Sequence, residues 1–221
     1  MQRLLAVLGF VSGMAAAGAA FAHPHVFVSG GADFGIDEQG RLERLHISWI
    51  YDEYASLYLL SYVSADLDGD QKLTEEEKER ILSDQTNWPD EFAGDSYLFV
   101  SGEKRKLGKP VNADTRILKD GRVEVTFERI LEKPFRPGAG GDPAAVVKVY
   151  DPTFYYAYET DAPKIVGADP KGCVAEHKPY DPNAPGLAAL RTQLALIPRD
   201  ENPEQPDVGA LFADELLLAC G

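Results

Sequence analysis

Apolar positions alternate with polar ones along "HVFVSGGADFGI" and again along "RLERLHISWIY", where Leu42, Leu45, Ile47, Trp49 and Tyr51 are residues that favour strands. The turn signal "DEQG" at Asp37 to Gly40 lies between them. A β-hairpin is the expected result, with Gly30 and Gly31 marking a bulge or bend in its first strand. The pattern then changes. "DEYASLYLLSYVSA", Asp52 to Ala65, has no Gly or Pro and is apolar on most sides, which predicts a packed helix. The acidic stretch "DLDGDQKLTEEE" follows, and "KERILSD" reads as a short amphipathic helix.

Strand patterns resume with "SYLFVSG", "TRILKDGRVEVTFERI" and "AAVVKVYDPTFYYAYE", the Asp-Gly pair of "KDGR" predicting a hairpin turn. "PKIVG" and "GCVAEHKP" add one or two strands. A short helix is expected from Gly186 to Ile197, and "ALFADELLLACG" reads as a closing strand. The predicted class is α+β: mostly antiparallel β, sandwich-like, with an EF-hand-like helix-loop-helix inserted at about 53–84.

Arg3, the apolar run Leu4 to Ala20 and the A-x-A tripeptide Ala20-Phe21-Ala22 have the form of a cleaved signal peptide, residues 1–22. The alternative is an uncleaved anchor. On the first reading one β-rich domain, residues 23–221, is exported and is not inserted in the membrane. The net charge of −14 argues against nucleic acid as a partner. The two cysteines, Cys173 and Cys220, predict one disulfide in an oxidising compartment, the rival being a pair of thiolate metal ligands.

The acidic stretch carries the most specific chemistry. Asp66, Asp68 and Asp70 stand at positions one, three and five of a twelve-residue calcium loop, and Glu77 stands at twelve. Lys72 would offer its backbone carbonyl at position seven and Thr74 its hydroxyl at nine. Hard oxygens at alternating positions suit Ca²⁺ because the loop wraps around one ion. Thr74 and Glu77 also form a capping box for the second helix. Position six, where Gly supplies a left-handed backbone, is Gln71. The bland alternative is a solvated acidic loop that caps a helix.

His23 and His25 open the mature chain on this reading, and His23 would carry a free α-amine beside its imidazole. Pro24 has no N–H, which excludes the amino-terminal copper and nickel motif that ligates through the second backbone nitrogen. If Asp37 to Gly40 is the turn, paired residues have numbers summing to about 77, which sets Asp52 or Glu53 opposite His25. Imidazole, amine and carboxylate together suit Zn²⁺, Ni²⁺, Co²⁺ or Cu²⁺. Otherwise the two histidines merely start a strand. The same count sets His46 near Gly31, away from that site, and His177 reads as a surface-loop residue.

"AHPHVFV", "W-x-x-D-E-x-x-S" at Trp49 to Ser56, the acidic loop, "VYDPTFYYAYE" and "LFADELLLAC" together resemble the proteobacterial domain-of-unknown-function family 1007. The resemblance spans essentially the whole mature chain. It implies the periplasmic component of an uncharacterised ABC-type transport system that accompanies nickel/cobalt-type permeases. The positions it touches are His23, His25, Trp49, Asp52, Glu53, Asp151 and the loop acids. Gln71 is the clearest departure. The expected function is thus a periplasmic, non-enzymatic divalent-metal-binding accessory protein of a membrane metal permease. A calcium-stabilised β-rich envelope interaction protein is the alternative. No G-x-S-x-G or H-E-x-x-H motif points to a hydrolase. A copper oxidase with His23 as a chelating brace would need a facing histidine from His25, His46 or His177.

Overall fold

In the computed structural model, which describes residues 23–138, 144–168, 172–198 and 200–220, the alternation of the first two strands becomes one wall of a core. Residues 1–22, read above as a signal, lie outside the described residues. Strands β1 (Val26–Ile36) and β2 (Leu42–Tyr51) pair antiparallel. Phe34 of β1 and Leu42, Leu45, Ile47, Trp49 and Tyr51 of β2 are buried. Strands β5 (Leu107–Ile117) and β6 (Val123–Phe135) form the "KDGR" hairpin and extend this sheet. Its order is β5-β6-β2-β1-β8, with β8 (Tyr156–Thr160) and β9 (Ile165–Gly167) both parallel to β1.

The second sheet contains β3 (Ser96–Val100), β4 (Glu103–Arg105), β7 (Ala145–Val149), β10 (Cys173–Lys178) and β11 (Glu215–Cys220), in the order β10-β11-β7-β3-β4. Leu98, Val147, Leu216 and Leu218 of this sheet share one buried cluster with Phe34, Ile47, Val125 and Phe127 of the other. The fold is therefore α+β and β-rich, two mostly antiparallel sheets stacked across a common core.

Three expectations about the hairpin change. No bulge falls at Gly30: the pairing runs in register from Val28↔Tyr51 to Gly35↔Arg44 and shifts only at Gly35/Ile36. Gly30 has φ +133°, and a Cβ there would stand 2.1 Å from the Ser48 carbonyl oxygen, so glycine permits close approach of the two backbones. Val28 faces Tyr51, a register two residues from the expected one, and the Asp52 N–H donates to the Phe27 carbonyl. His25 and Asp52 are thus not partners across the hairpin. His46 pairs with Asp33 on one side and Glu128 on the other.

Helix α1 (Glu53–Tyr62) starts on Asp52, whose side chain accepts from the Ala55 N–H. It buries only Ser56, Leu59 and Leu60, while Tyr54, Leu57, Tyr58 and Tyr62 face outward. The sequence pattern had suggested packing on most sides. Helix α2 (Glu75–Thr86) starts at the expected Thr74/Glu77 capping box and runs two residues past "KERILSD". Helix α3 (Leu187–Leu194) packs Leu187 and Leu194 against Phe154, Val208 and Phe212. Cys173 and Cys220 face each other in the β10-β11 pair and are joined by a disulfide. Among the described residues no helix is long and apolar enough to cross a membrane.

Candidate metal sites

The acidic loop is built by backbone that few residues tolerate. After α1 the chain passes through positive φ at Ser64, Asp66, Gly69 and Gln71, the last at +60°. Gln71 therefore takes the left-handed conformation that the sixth loop position requires, despite its Cβ. Arg80 of α2 donates to the carbonyl oxygens of Val63 (2.9 Å) and Ser64 (2.8 Å), which holds the end of α1 against α2. Ala65 is buried and Leu73 packs on the core, so the loop is anchored at both ends.

Within that frame Asp66, Asp68 and Asp70 each bring one carboxylate oxygen within 4.8 Å of the others. Asp66 is half-buried and the other two are exposed. Asp66 Oδ1 accepts from the Gln71 N–H at 3.0 Å, and Asp70 Oδ1 from the Lys72 N–H at 2.8 Å. The Lys72 ammonium lies 3.3 Å from Asp70 Oδ2, so a cation in the loop would compete with it. Glu77 Oε1 accepts from the Asp66 N–H at 2.9 Å, joining position twelve to position one. Glu77 Oε2 accepts from the Thr74 N–H and hydroxyl, both at 2.8 Å. The Thr74 donors, with the Asp66 N–H adding to them, hold the Glu77 carboxyl below the usual glutamate range. Thr74 Oγ1 is engaged by the capping box.

The opening histidines lie at the edge of the first sheet. The His25 N–H donates to the Tyr155 carbonyl at 2.8 Å. The ring centroids of His23 and His25 are 5.0 Å apart at 67°. Tyr155 lies 5.9 Å from the first ring and 4.7 Å from the second. His23 is 2 % exposed, and among the described residues neither of its ring nitrogens has a hydrogen-bond partner. Buried polar atoms of this kind are uncommon, and each calls for a partner.

Asp52 does not join this pair. Its Oδ1 caps α1 and its Oδ2 accepts from the Phe27 N–H at 2.8 Å, which occupies both oxygens with local structure. Glu53 is exposed in the first turn of α1. Among the described residues the loop triad is the only group of three or more His, Cys, Asp or Glu side chains whose ligand atoms converge. Asp151 organises the turn that delivers Tyr155: its carboxylate accepts from the backbone N–H groups of Thr153, Tyr155 and Tyr156 and from the Thr153 hydroxyl. Trp49 is a core residue against Phe127 and Trp88. His177, expected on a surface loop, stands on β10, with Nε2 2.8 Å from Asp214 Oδ2 and 3.3 Å from Thr160 Oγ1. His46 lies 3.3 Å from Glu128. Neither faces His23.

Two features escaped the sequence reading. Tyr155 belongs to "FYYAYE", whose aromatic density was the available signal. Asp95 had none. It is 5 % exposed, accepts a 2.8 Å hydrogen bond from the Tyr158 hydroxyl through Oδ2, and among the described residues has no partner at Oδ1. Burial pushes its carboxyl up to about 7, the nearby Asp151 adding to the rise.

No curated protein matches the sequence. A family model does, over residues 8–220, a span that includes the histidine pair, the acidic loop and both cysteines. The chain belongs to the family described as protein of unknown function (DUF1007).

Proposed function

We propose that the protein is a non-enzymatic, exported binder of divalent metal ions that serves a membrane metal permease. It holds calcium in the acidic loop and carries a transition-metal ion as cargo at the histidine pair. The observation that carries this reading is the convergence of Asp66, Asp68 and Asp70 in a loop whose sixth residue is already left-handed. The donor set is all oxygen, and Glu77 stands next to Asp66 to close it. That chemistry fits Ca²⁺ and fits softer ions poorly.

The histidine pair supports the second half. His23 is buried with unpartnered nitrogens beside a second imidazole, and imidazole suits Zn²⁺, Ni²⁺, Co²⁺ or Cu²⁺. Cleavage after Ala22 would add the α-amine of His23. Because Asp52 is occupied by its cap, few protein ligands remain, which favours an exchangeable cargo over a fixed structural ion. The disulfide fits an oxidising compartment such as the periplasm.

Metal analysis of untagged protein recovered from its exporting host tests the reading. Calcium should track Asp68, and a transition metal should be lost from His25→Ala while calcium stays. Preparations free of both metals would overturn it. The second reading, a calcium-stabilised envelope interaction protein with no transport role, draws on the outward face of α1, where Tyr58 and Tyr62 stack beside Tyr54 and Leu57. Loss of a partner in Tyr58→Ser, with metal content unchanged, would favour it.

A further inference from the structure

A cleft of about 550 Å³ opens between the start of β1, the turn before β8 and helix α3. Phe27, Phe154, Ala157 and Leu196 give it apolar walls, and Phe27 and Leu196 are exposed at its mouth. A few polar groups also line it: His23, Tyr180, Arg191 and Thr192. Apolar walls with a small number of placed polar groups, at this volume, are the usual make-up of a small-molecule site.

The polar groups indicate what would bind. Arg191 Nη2 donates to the Tyr180 hydroxyl at 2.9 Å, and its guanidinium lies 5.6 Å from the centre of the Phe212 ring. Among the described residues no carboxylate pairs with it, in a chain with 36 acidic and 22 basic residues. A cation in the last turn of α3 is explained in part by the carbonyl end of that helix. That interaction leaves the side chain free to extend into water, whereas the bond to Tyr180 ties it to the cleft wall. The guanidinium fork keeps further N–H donors available. Elsewhere His23 contributes to the wall with its ring nitrogens turned away from open space, so Arg191 is the charged group the cleft presents.

We infer that this cleft binds a small organic carboxylate with an apolar body. The carboxylate pairs with Arg191 and the body lies among Phe154, Ala157 and Leu196. The inference goes beyond the metal reading and needs no metal at His23, so its test is run in excess chelator, where failure of one leaves the other standing.

Calorimetric titration of octanoate and phenylacetate into the purified protein, with 1-octanol and 2-phenylethanol as uncharged counterparts, tests the inference. At least one acid should bind saturably and more tightly than its alcohol. Arg191→Gln should weaken the acid about tenfold or more, as expected for loss of a charge-assisted pair. Leu196→Glu should weaken it as well, by placing a like charge at the mouth. Both positions are exposed, so melting temperatures should stay at the parent value and show that the fold is intact. No saturable binding of either acid up to about 5 mM, or equal affinity in parent and Arg191→Gln, would overturn the inference.

Discussion

Asp95→Asn isolates a carboxylate whose burial opposes its own charge. Asp95 sits at the start of β3 with φ +44°, a conformation asparagine adopts as readily. Its backbone carbonyl accepts from the Tyr150 N–H, a bond the substitution leaves alone. Tyr158 can donate to an amide oxygen as it does to Asp95 Oδ2. What changes is the titration. In the folded chain the carboxyl is raised from 3.8 to about 7, chiefly by burial and then by Asp151. Between about pH 4 and about pH 7 the folded state therefore holds a proton that the unfolded state has released. The stability this lends is fully present below about pH 4, declines as pH rises, and is gone above about pH 7. At roughly 1.4 kcal/mol for each tenfold step, the full decline is at most about 4 kcal/mol. The asparagine variant lacks it. With a urea dependence of about 2 kcal/mol/M, its unfolding midpoint should gain ~1–2 M on the parent's between pH 4.5 and pH 8. The quantity to read is the change of that difference with pH, because an amide and a neutral acid differ in what they leave unpartnered at Oδ1. A difference that is the same at both pH values would show that Asp95 holds no extra proton in the folded chain.

Further tests address the loop and the frame. Gln71→Gly removes a left-handed side chain costing about 1–2 kcal/mol, partly offset by glycine's larger unfolded entropy; because Gln71 already holds φ +60° in the folded loop, the net gain of up to about 1 kcal/mol should appear as stability in urea, and a lowered midpoint would contradict that. Reduction of Cys173–Cys220, which closes a loop with sequence separation 47, should lower stability in urea by about 3–4 kcal/mol; an unchanged midpoint would contradict that. Arg129 is buried, among the described residues pairs with no carboxylate, and donates to the carbonyl oxygens of Ala93, Leu107 and Gly108 and to Ser96 Oγ. Arg129→Met should therefore cost about 3 kcal/mol by stranding those acceptors, read from urea unfolding.

Local chemistry was the legible part. The alternation of Leu45, Ile47 and Trp49, the Asp-Gly turn, the Thr74/Glu77 capping box and the spacing of the loop acids all act over a few residues, and the structure carries each of them. What failed depended on distance. The hairpin register moved by two residues because the turn is not the simple one assumed and the pairing shifts at Gly35/Ile36, and that move turned Asp52 from an expected ligand into a helix cap. His177 looked like a loop residue because β10 is short and lies beside β11, a strand far along the chain, with Asp214 just before it. Tyr155 and Asp95 acquire their surroundings only when β8 pairs in parallel with β1 and Tyr158 reaches the start of β3. The outward aromatic face of α1 could not be foreseen from a pattern that was apolar nearly all round.

Both readings of the function begin with a calcium ion in the acidic loop. Calorimetric titration of Ca²⁺ into chelator-stripped protein, with Asp66→Ala and Glu77→Ala alongside, tests it most directly. One saturable site is expected in the parent, with loss of that site in both variants and a melting temperature that calcium raises in the parent alone. A parent that takes up no calcium, or variants that bind it as the parent does, would contradict it.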